Sequence, residues 1–193
     1  MTAYDFVHLV IYAAGGRIEG RTKLQNTVYF VGVLTGHIQT LGFRARYYGP
    51  SSPAVAGAVQ ELRGLKFLEQ HVTANEPADA GGFEMTRYEY TLTAEGVEVA
   101  QEKAARYATD WARIRDAIHR LKGSDVQDYV RLAIAAKTDL LARQAGAPLS
   151  APSLKEKAIE HGWKAFTDEQ YAEAVRFLQS VVGTRPEPVP APA

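Results

Sequence analysis

Arg17, Arg21 and Lys23 stand close together, before and inside the start of a helix that the pattern Gly20-Arg21-Thr22-Lys23-Leu24-Gln25 announces. A helix start already favours an anion, because its first N–H groups lack partners and its dipole is positive there. Three cations at that point suit a phosphate. Ser51 and Ser52 stand at the head of a second helix, Gln60 and Arg63 lie further along it, and Arg87 falls on a later strand. On a nucleic-acid duplex such donors divide into phosphate anchors and base readers, with Arg bidentate to guanine and Gln bidentate to adenine. The same residues also have a plainer use. Ser51 and Ser52 can simply cap, Arg63 can pair with a neighbouring acid, and Ala54, Ala56 and Gly57 are too short to reach a base. A further pairing of types is Arg44 and Arg46 beside Tyr47 and Tyr48, aromatic faces next to cations, which can stack on single-stranded bases. In a short strand, alternate aromatics also serve as core, and Tyr88 and Tyr90 are expected to pack or pair across strands with them.

Other chemistries are absent from the pattern. His8, His37, His71, His119 and His161 are scattered without a pair at metal-ligand spacing, and no cysteine is present to join them. There is no nucleophile elbow, phosphate loop or dinucleotide fingerprint; Gly15-Gly16 reads as a helix stop and Gly81-Gly82 as a turn tip. Glu95, Glu98 and Glu102 are interleaved with Lys103 and Arg106, as on a solvated helix face. No catalytic residue, metal or cofactor is expected.

The elements that would carry the donors follow from periodicity. Phe6 to Ala14 is apolar on more than one side of a helical wheel, which predicts a buried first helix. Thr22 and Gln25 have the spacing of a capping box for the second helix, which Leu24, Val28, Val31 and Leu34 line and Gly36 closes. Phe43 to Tyr48 reads as a strand broken by Gly49-Pro50. Ser52 and Pro53 then suit the N-cap and first position of a helix with a stripe of Val55, Ala58, Val59, Leu62 and Leu65, ended by Gly64. Phe67 to Val72 and Thr86 to Leu92 predict a hairpin with a soft tip over Thr73 to Met85. From Thr93, the seam Val97, Ala100, Ala104, Tyr107, Trp111, Ile114, Ile118 and Leu121 predicts one helix of roughly 28 residues, on the order of 40 Å. So long a helix overshoots a small domain, and part of its seam must meet the C-terminal helices or a second copy of the chain. A helix through Val126, Tyr129, Val130, Ala133, Ala136 and Leu140 follows, then two helices opened by Ser153-x-x-Glu156 and Thr167-x-x-Gln170. Residues 184–193 are too rich in proline for helix or sheet.

The expected fold is therefore mostly α with a small antiparallel β-wing: a winged helix-turn-helix over residues 1–95, a long helix and helical extension over 96–183, and a Pro-rich tail over 184–193. The 193 residues balance 22 Lys and Arg against 22 Asp and Glu. A neutral molecule cannot steer a polyanion through its overall field, so any grip on nucleic acid must be local. Neutrality also favours self-association, and a homodimer through the helix after Thr93 is expected. No stretch is apolar enough to span a bilayer, the first residues lack the pattern of a signal peptide, and the absence of cysteine points to the cytoplasm.

Residues Gly16 to Phe30, Tyr48-Gly49-Pro50-Ser51-Ser52-Pro53, Leu62 to Leu68 and Tyr90-Thr91-Leu92-Thr93-Ala94-Glu95-Gly96 resemble the uncharacterised YwgA-like family of bacteria and archaea. A looser likeness, in Lys23-Leu24-Gln25, Val28-Tyr29-Phe30 and Tyr48-Gly49-Pro50, extends to the Panacea domain of SocA-type antitoxins. The resemblance covers about Ala3 to Gly96. Where many sequences of the first family carry another basic residue after Leu-Gln, this chain has Asn26. The second family implies neutralisation of a toxin through protein contacts. Two expectations follow: a DNA-binding protein resembling a transcriptional regulator, with double-stranded DNA as partner, or a non-enzymatic antitoxin or adaptor that uses the same scaffold to meet another protein. An enzyme acting on nucleic acid from dispersed residues ranks below both.

Overall fold

The computed structural model describes residues 1–46, 49–75, 86–123, 129–146, 149–163 and 166–183. The expected wing tip and Pro-rich tail lie largely outside them, as do Tyr47 and Tyr48. Helix α1 (Ala3–Ala13) starts where Thr2 accepts from the Asp5 N–H, and every side chain from Phe6 to Ile11 is buried. Strand β1 (Arg17–Glu19) follows, then α2 (Arg21–Thr35) and the single turn α3 (Ile38–Leu41). Strands β2 (Arg44–Arg46) and β3 (Gly49–Ser51) form a separate small hairpin before α4 (Pro53–Gly64). Gly49 and Pro50 thus belong to a strand, paired with Arg46 and Ala45, where the sequence suggested a break.

Strands β4 (Leu68–Asn75) and β5 (Thr86–Leu92) form the wing. The sheet order is β1-β5-β4, antiparallel throughout, with Ile18 and Gln70 on either side of Tyr90. Strand β5, which carries Tyr88 and Tyr90, therefore pairs with β4 and β1; the contact expected with Tyr47 and Tyr48 falls on residues outside the described ones. Helices α1, α2 and α4 together with this sheet compose a winged helix-turn-helix, and the link from α2 to α4 is the α3 turn and the small hairpin.

Ser52 and Pro53 open α4 as the sequence indicates: the Ser52 hydroxyl accepts from Val55 N–H at 3.0 Å. The helix ends at Gly64, as expected, while the left-handed turn that follows is made by Lys66, at φ 61°. The next helix, α5 (Ala94–Arg106), is seated on that turn. Thr93 donates from its N–H to the Phe67 carbonyl and from its hydroxyl to that of Lys66. Gly96 completes the seat, since a Cβ there would stand 2.1 Å from the Phe67 oxygen.

The long helix is broken. Tyr107, at φ −108° and ψ 44°, separates α5 from α6 (Ala108–Gly123). The bend turns α6 back along α1 and α2, so Ala104, Ile114 and Ile118 are buried within this chain and Trp111 stacks on Tyr12 with ring centres 5.2 Å apart. The overshoot that called for either the C-terminal helices or a second copy therefore does not arise. Helix α7 (Tyr129–Ala145) packs on α2 and on β3, burying Leu132, Ala135, Ala136 and Leu140, while Val130 is exposed. Helices α8 (Ala151–Glu160) and α9 (Asp168–Val181) complete the fold. Ser150, not Ser153, caps α8; Thr167 and Gln170 form the expected capping box of α9. One apolar core runs from Phe6 and Phe30 to Phe177 and Val181, so the extension and the winged helix share it. No helix among the described residues is long and apolar enough to cross a membrane.

Candidate functional site

The two helix starts are tied together, but by a bond the sequence did not suggest. Helix α2 has Gly20 at its N-cap and no side-chain cap; the Thr22–Gln25 box does not form. Gln25 is buried and turned toward α4, where its amide donates to the Ser52 carbonyl at 3.3 Å and accepts from the Ser52 N–H at 3.0 Å. A side-chain amide that satisfies both groups of one buried peptide position outweighs a local cap.

That same junction withdraws Ser52 from any ligand. Its hydroxyl donates to the Leu41 carbonyl while accepting from Val55, and the residue is 0% exposed. Ser51 is half-buried opposite Arg44 in the small hairpin. Arg17 is also withdrawn: its guanidinium lies 2.9 Å from Glu19 and 2.5 Å from Glu89 of the central strand. Arg21 lies over the Tyr88 ring at 4.9 Å, which joins the α2 start to the base of the wing. Lys23 is half-buried.

Arg44 and Arg46 are exposed on one side of β2 with half-buried Ala45 between them. Their hairpin is pinned to the helical extension by the Trp163 indole, which donates to the Arg46 carbonyl at 2.6 Å. Gln60 and Arg63 are exposed on α4, together with Glu61. Arg63 lies about 15 Å along the helix from Pro53, near Lys66 in sequence and remote from the Ser52 junction. The Arg87 side chain lies outside the described residues. The structure thus brings Arg21 to the wing and α2 to the head of α4, neutralises Arg17 and leaves Gln60 and Arg63 at the other end of α4.

Three polar groups in the interior carry information that periodicity did not. Tyr29 donates to Asp139 Oδ2 at 2.7 Å, and Arg143 Nε donates to the same oxygen at 2.6 Å, all three buried between α2 and α7. Burial, then the Asp139 charge, push the Tyr29 phenol well above its ordinary range, so it stays a donor. For Arg143 burial acts downward, but the Asp139 charge outweighs it and the guanidinium is held charged. The spacing of Asp139 and Arg143 on one helix is a signal for half of this triad; Tyr29 gives none. Asn26, one turn before Tyr29, is 1% exposed and neither its Oδ1 nor its Nδ2 has a partner. His8, 0% exposed, meets the Gly96 carbonyl through Nε2 at 2.8 Å and has a bare Nδ1.

Among the described residues no group of three or more His, Cys, Asp or Glu side chains is placed to hold a metal ion. The chain matches no protein-family model and no curated protein.

Proposed function

We propose that this chain is a non-enzymatic, cytoplasmic protein-interaction module, an antitoxin or adaptor in kind, built on a winged-helix scaffold. The observation that carries this reading is the outward face of α4. It presents Pro53, Ala54, Ala56, Gly57 and Gly64, and its longer side chains are Gln60, Glu61 and Arg63. A face of that kind lets another polypeptide approach closely and offers a base edge little to read. Leu65, half-exposed just past α4, and Val72, exposed on the edge strand β4, add apolar area beside it. The surrounding charge agrees. From Gly15 to Leu92 the eight cations are met by seven carboxylates, and Arg17 is paired twice over. The likeness to the Panacea segment points the same way.

Gln60 and Arg63, exposed on successive turns of α4, favour DNA as a second reading. The two readings part on salt. A protein held by several phosphates loses affinity steeply as salt rises, with a slope set by the number of phosphates engaged. Gel shifts of genomic fragments at low salt, with wild type, Arg21→Ala and Arg63→Ala, decide between them. Equal, weak retention of DNA by all three supports the protein-interaction reading. Retention by wild type that each substitution lowers about tenfold, with a steep salt slope, overturns it in favour of DNA.

A further inference from the structure

Strand β4 ends the three-stranded sheet, and one side of its main chain is unused. On β5 the Leu92 N–H donates to Gly16 at 2.8 Å and the Tyr88 carbonyl accepts from Gly20 at 2.6 Å, so Tyr88, Tyr90 and Leu92 turn their polar groups toward β1. Successive residues of a strand turn theirs to opposite sides. Glu89 and Thr91 therefore face β4, where they meet His71 and Glu69, and Thr93 continues the pattern with its bond to Phe67. It follows that Leu68, Gln70 and Val72 point their N–H and C=O groups away from the sheet, and among the described residues no strand takes them up. Natural edges are blunted by lysine, proline or a bulge. Leu68 to Val72 holds neither residue, and the bulge comes only afterwards, between Val72 and Ala74. The side chains of this run are arranged evenly about Gln70. Glu69 and His71 flank it on one face, both exposed, while Leu68 and Val72 lie with Gln70 on the other. Of these two, Leu68 is 2% exposed in the core and Val72 is 56% exposed beyond its rim.

We infer that β4 pairs with β4 of a second copy of this chain, antiparallel about a two-fold axis through Gln70, so that two three-stranded sheets join into one. In that register Gln70 exchanges both main-chain bonds with its counterpart, Leu68 does the same with Val72, and every outward group from Leu68 to Val72 is satisfied. Glu69 falls opposite His71 in the alternate kind of pair, where side chains stand closest. The two types already bond at 3.1 Å within one chain. Val72 comes beside the buried Leu68 and loses its exposure. The adjacent registers lack this match: one centred on Glu69 sets carboxylate against carboxylate, and one centred on His71 sets imidazole against imidazole and runs the pairing into the bulge. A strand of another protein needs no pattern that reads the same from both ends, whereas an isologous contact between copies requires it. The balance of 22 cations against 22 carboxylates also leaves little long-range repulsion between copies. The pairing uses no residue of α4 and does not depend on what α4 meets.

Sedimentation equilibrium of the full chain measures the association. Contact along one short edge is small, so the dimer is expected to be weak and to appear at about 100 µM and above. Glu69→Lys and His71→Glu each replace the match by a mismatch at both symmetric positions, and each is expected to raise the dissociation constant about tenfold or more. An equimolar mixture of those two variants is expected to dimerise again, because the new lysine then faces the new glutamate while the unaltered His71 faces the unaltered Glu69. Gln70→Pro deletes the N–H at the axis, leaves the bonds that Glu69 and His71 make to β5, and is expected to be monomeric. Glu69 and His71 are exposed, so the charge variants decide the matter even if Gln70→Pro fails to fold. The inference is overturned if wild type stays monomeric at about 1 mM, if the charge variants associate as wild type does, or if their mixture associates no better than either alone.

Discussion

Two buried polar junctions attach the helical extension to the winged helix, and they are finished to different degrees. Between α2 and α7, one carboxylate oxygen of Asp139 accepts from Tyr29 and from Arg143 at 2.7 and 2.6 Å. Between α1 and α5, Asp5 gathers Lys103 at 2.9 Å, Thr2 at 2.8 Å and Tyr107 at 3.2 Å, but the neighbouring His8 keeps a bare Nδ1. The first junction is buried throughout. The second opens toward solvent, because Asp5 is half-buried, and it contains a histidine whose pKa folding lowers. Their responses to perturbation therefore differ in kind: the first is sensitive to deletion and the second to pH.

Deletion at the closed junction has the largest expected effect. Asp139→Ala leaves a buried guanidinium and a buried phenol without their acceptor, and breaking a buried pair in this way costs about 3–5 kcal/mol. For a chain of this size that lowers the melting temperature by roughly 10 °C or more. A triple replacement, Tyr29→Phe with Asp139→Leu and Arg143→Met, removes all the charge at once and is expected to recover most of the loss. Thermal melts of the single and triple variants measure both. If Asp139→Ala melts within about 1 kcal/mol of wild type, the junction is not what holds α7 to α2.

The open junction answers to pH. Burial, and after it the Lys103 charge, lower the His8 pKa to about 4, against a partial upward pull from the Gly96 carbonyl and Asp5. In the unfolded chain the ring titrates near 6.5. Between those values the unfolded state binds the extra proton, so stability is complete above about pH 6.5 and falls as pH drops toward 4. The loss is on the order of 2–3 kcal/mol. Asp5 adds a separate loss at lower pH: burial raises its pKa, but the bonds from Lys103, Thr2 and Tyr107 leave it below the ordinary carboxylate value. Denaturant unfolding across pH 4 to 7 is expected to slope for wild type and to flatten for His8→Leu. An equal slope in both would place the titration elsewhere, and the contrast between the junctions would be lost.

How far the sequence reached depends on the distance over which each bond acts. Ser52 with Pro53, Thr93, and Thr167 with Gln170 were legible because an N-cap is decided within four residues. Thr22 with Gln25 has the same signature, yet Gln25 is taken by Ser52 from the next long helix, and nothing local announces that competitor. The break at Tyr107 was hidden for a related reason. The three-and-four spacing of α5 and α6 continues through it, since both halves bury their seams against the same domain, and only packing against α1 and α2 bends the chain. At the candidate site, the donors were found by type, but Arg17 is neutralised by Glu89, a neighbour only once β1 and β5 are paired. Charge gathered in sequence is not charge gathered in space until the acids across the sheet are counted.

Asn26 provides the smallest and sharpest test of the contrast, because it qualifies the description of the α2 side as fully paired. It lies one turn before Tyr29 on the same helix, is as deeply buried, and has neither an acceptor for its N–H groups nor a donor for its oxygen. Each such group carries the cost of desolvation without the return of a bond, about 1–3 kcal/mol. Asn26→Leu replaces the amide by a side chain of similar reach and is expected to stabilise the fold by about 1 kcal/mol, the gain being reduced by the extra volume the core must accept. The midpoint of urea unfolding at unchanged slope reads that difference. A gain confirms that the polar closure of the α2–α7 junction ends at Tyr29 and that Asn26 is an island beside it. A loss of 1 kcal/mol or more would mean that the amide is satisfied in solution, and the two junctions would then differ only in their access to water.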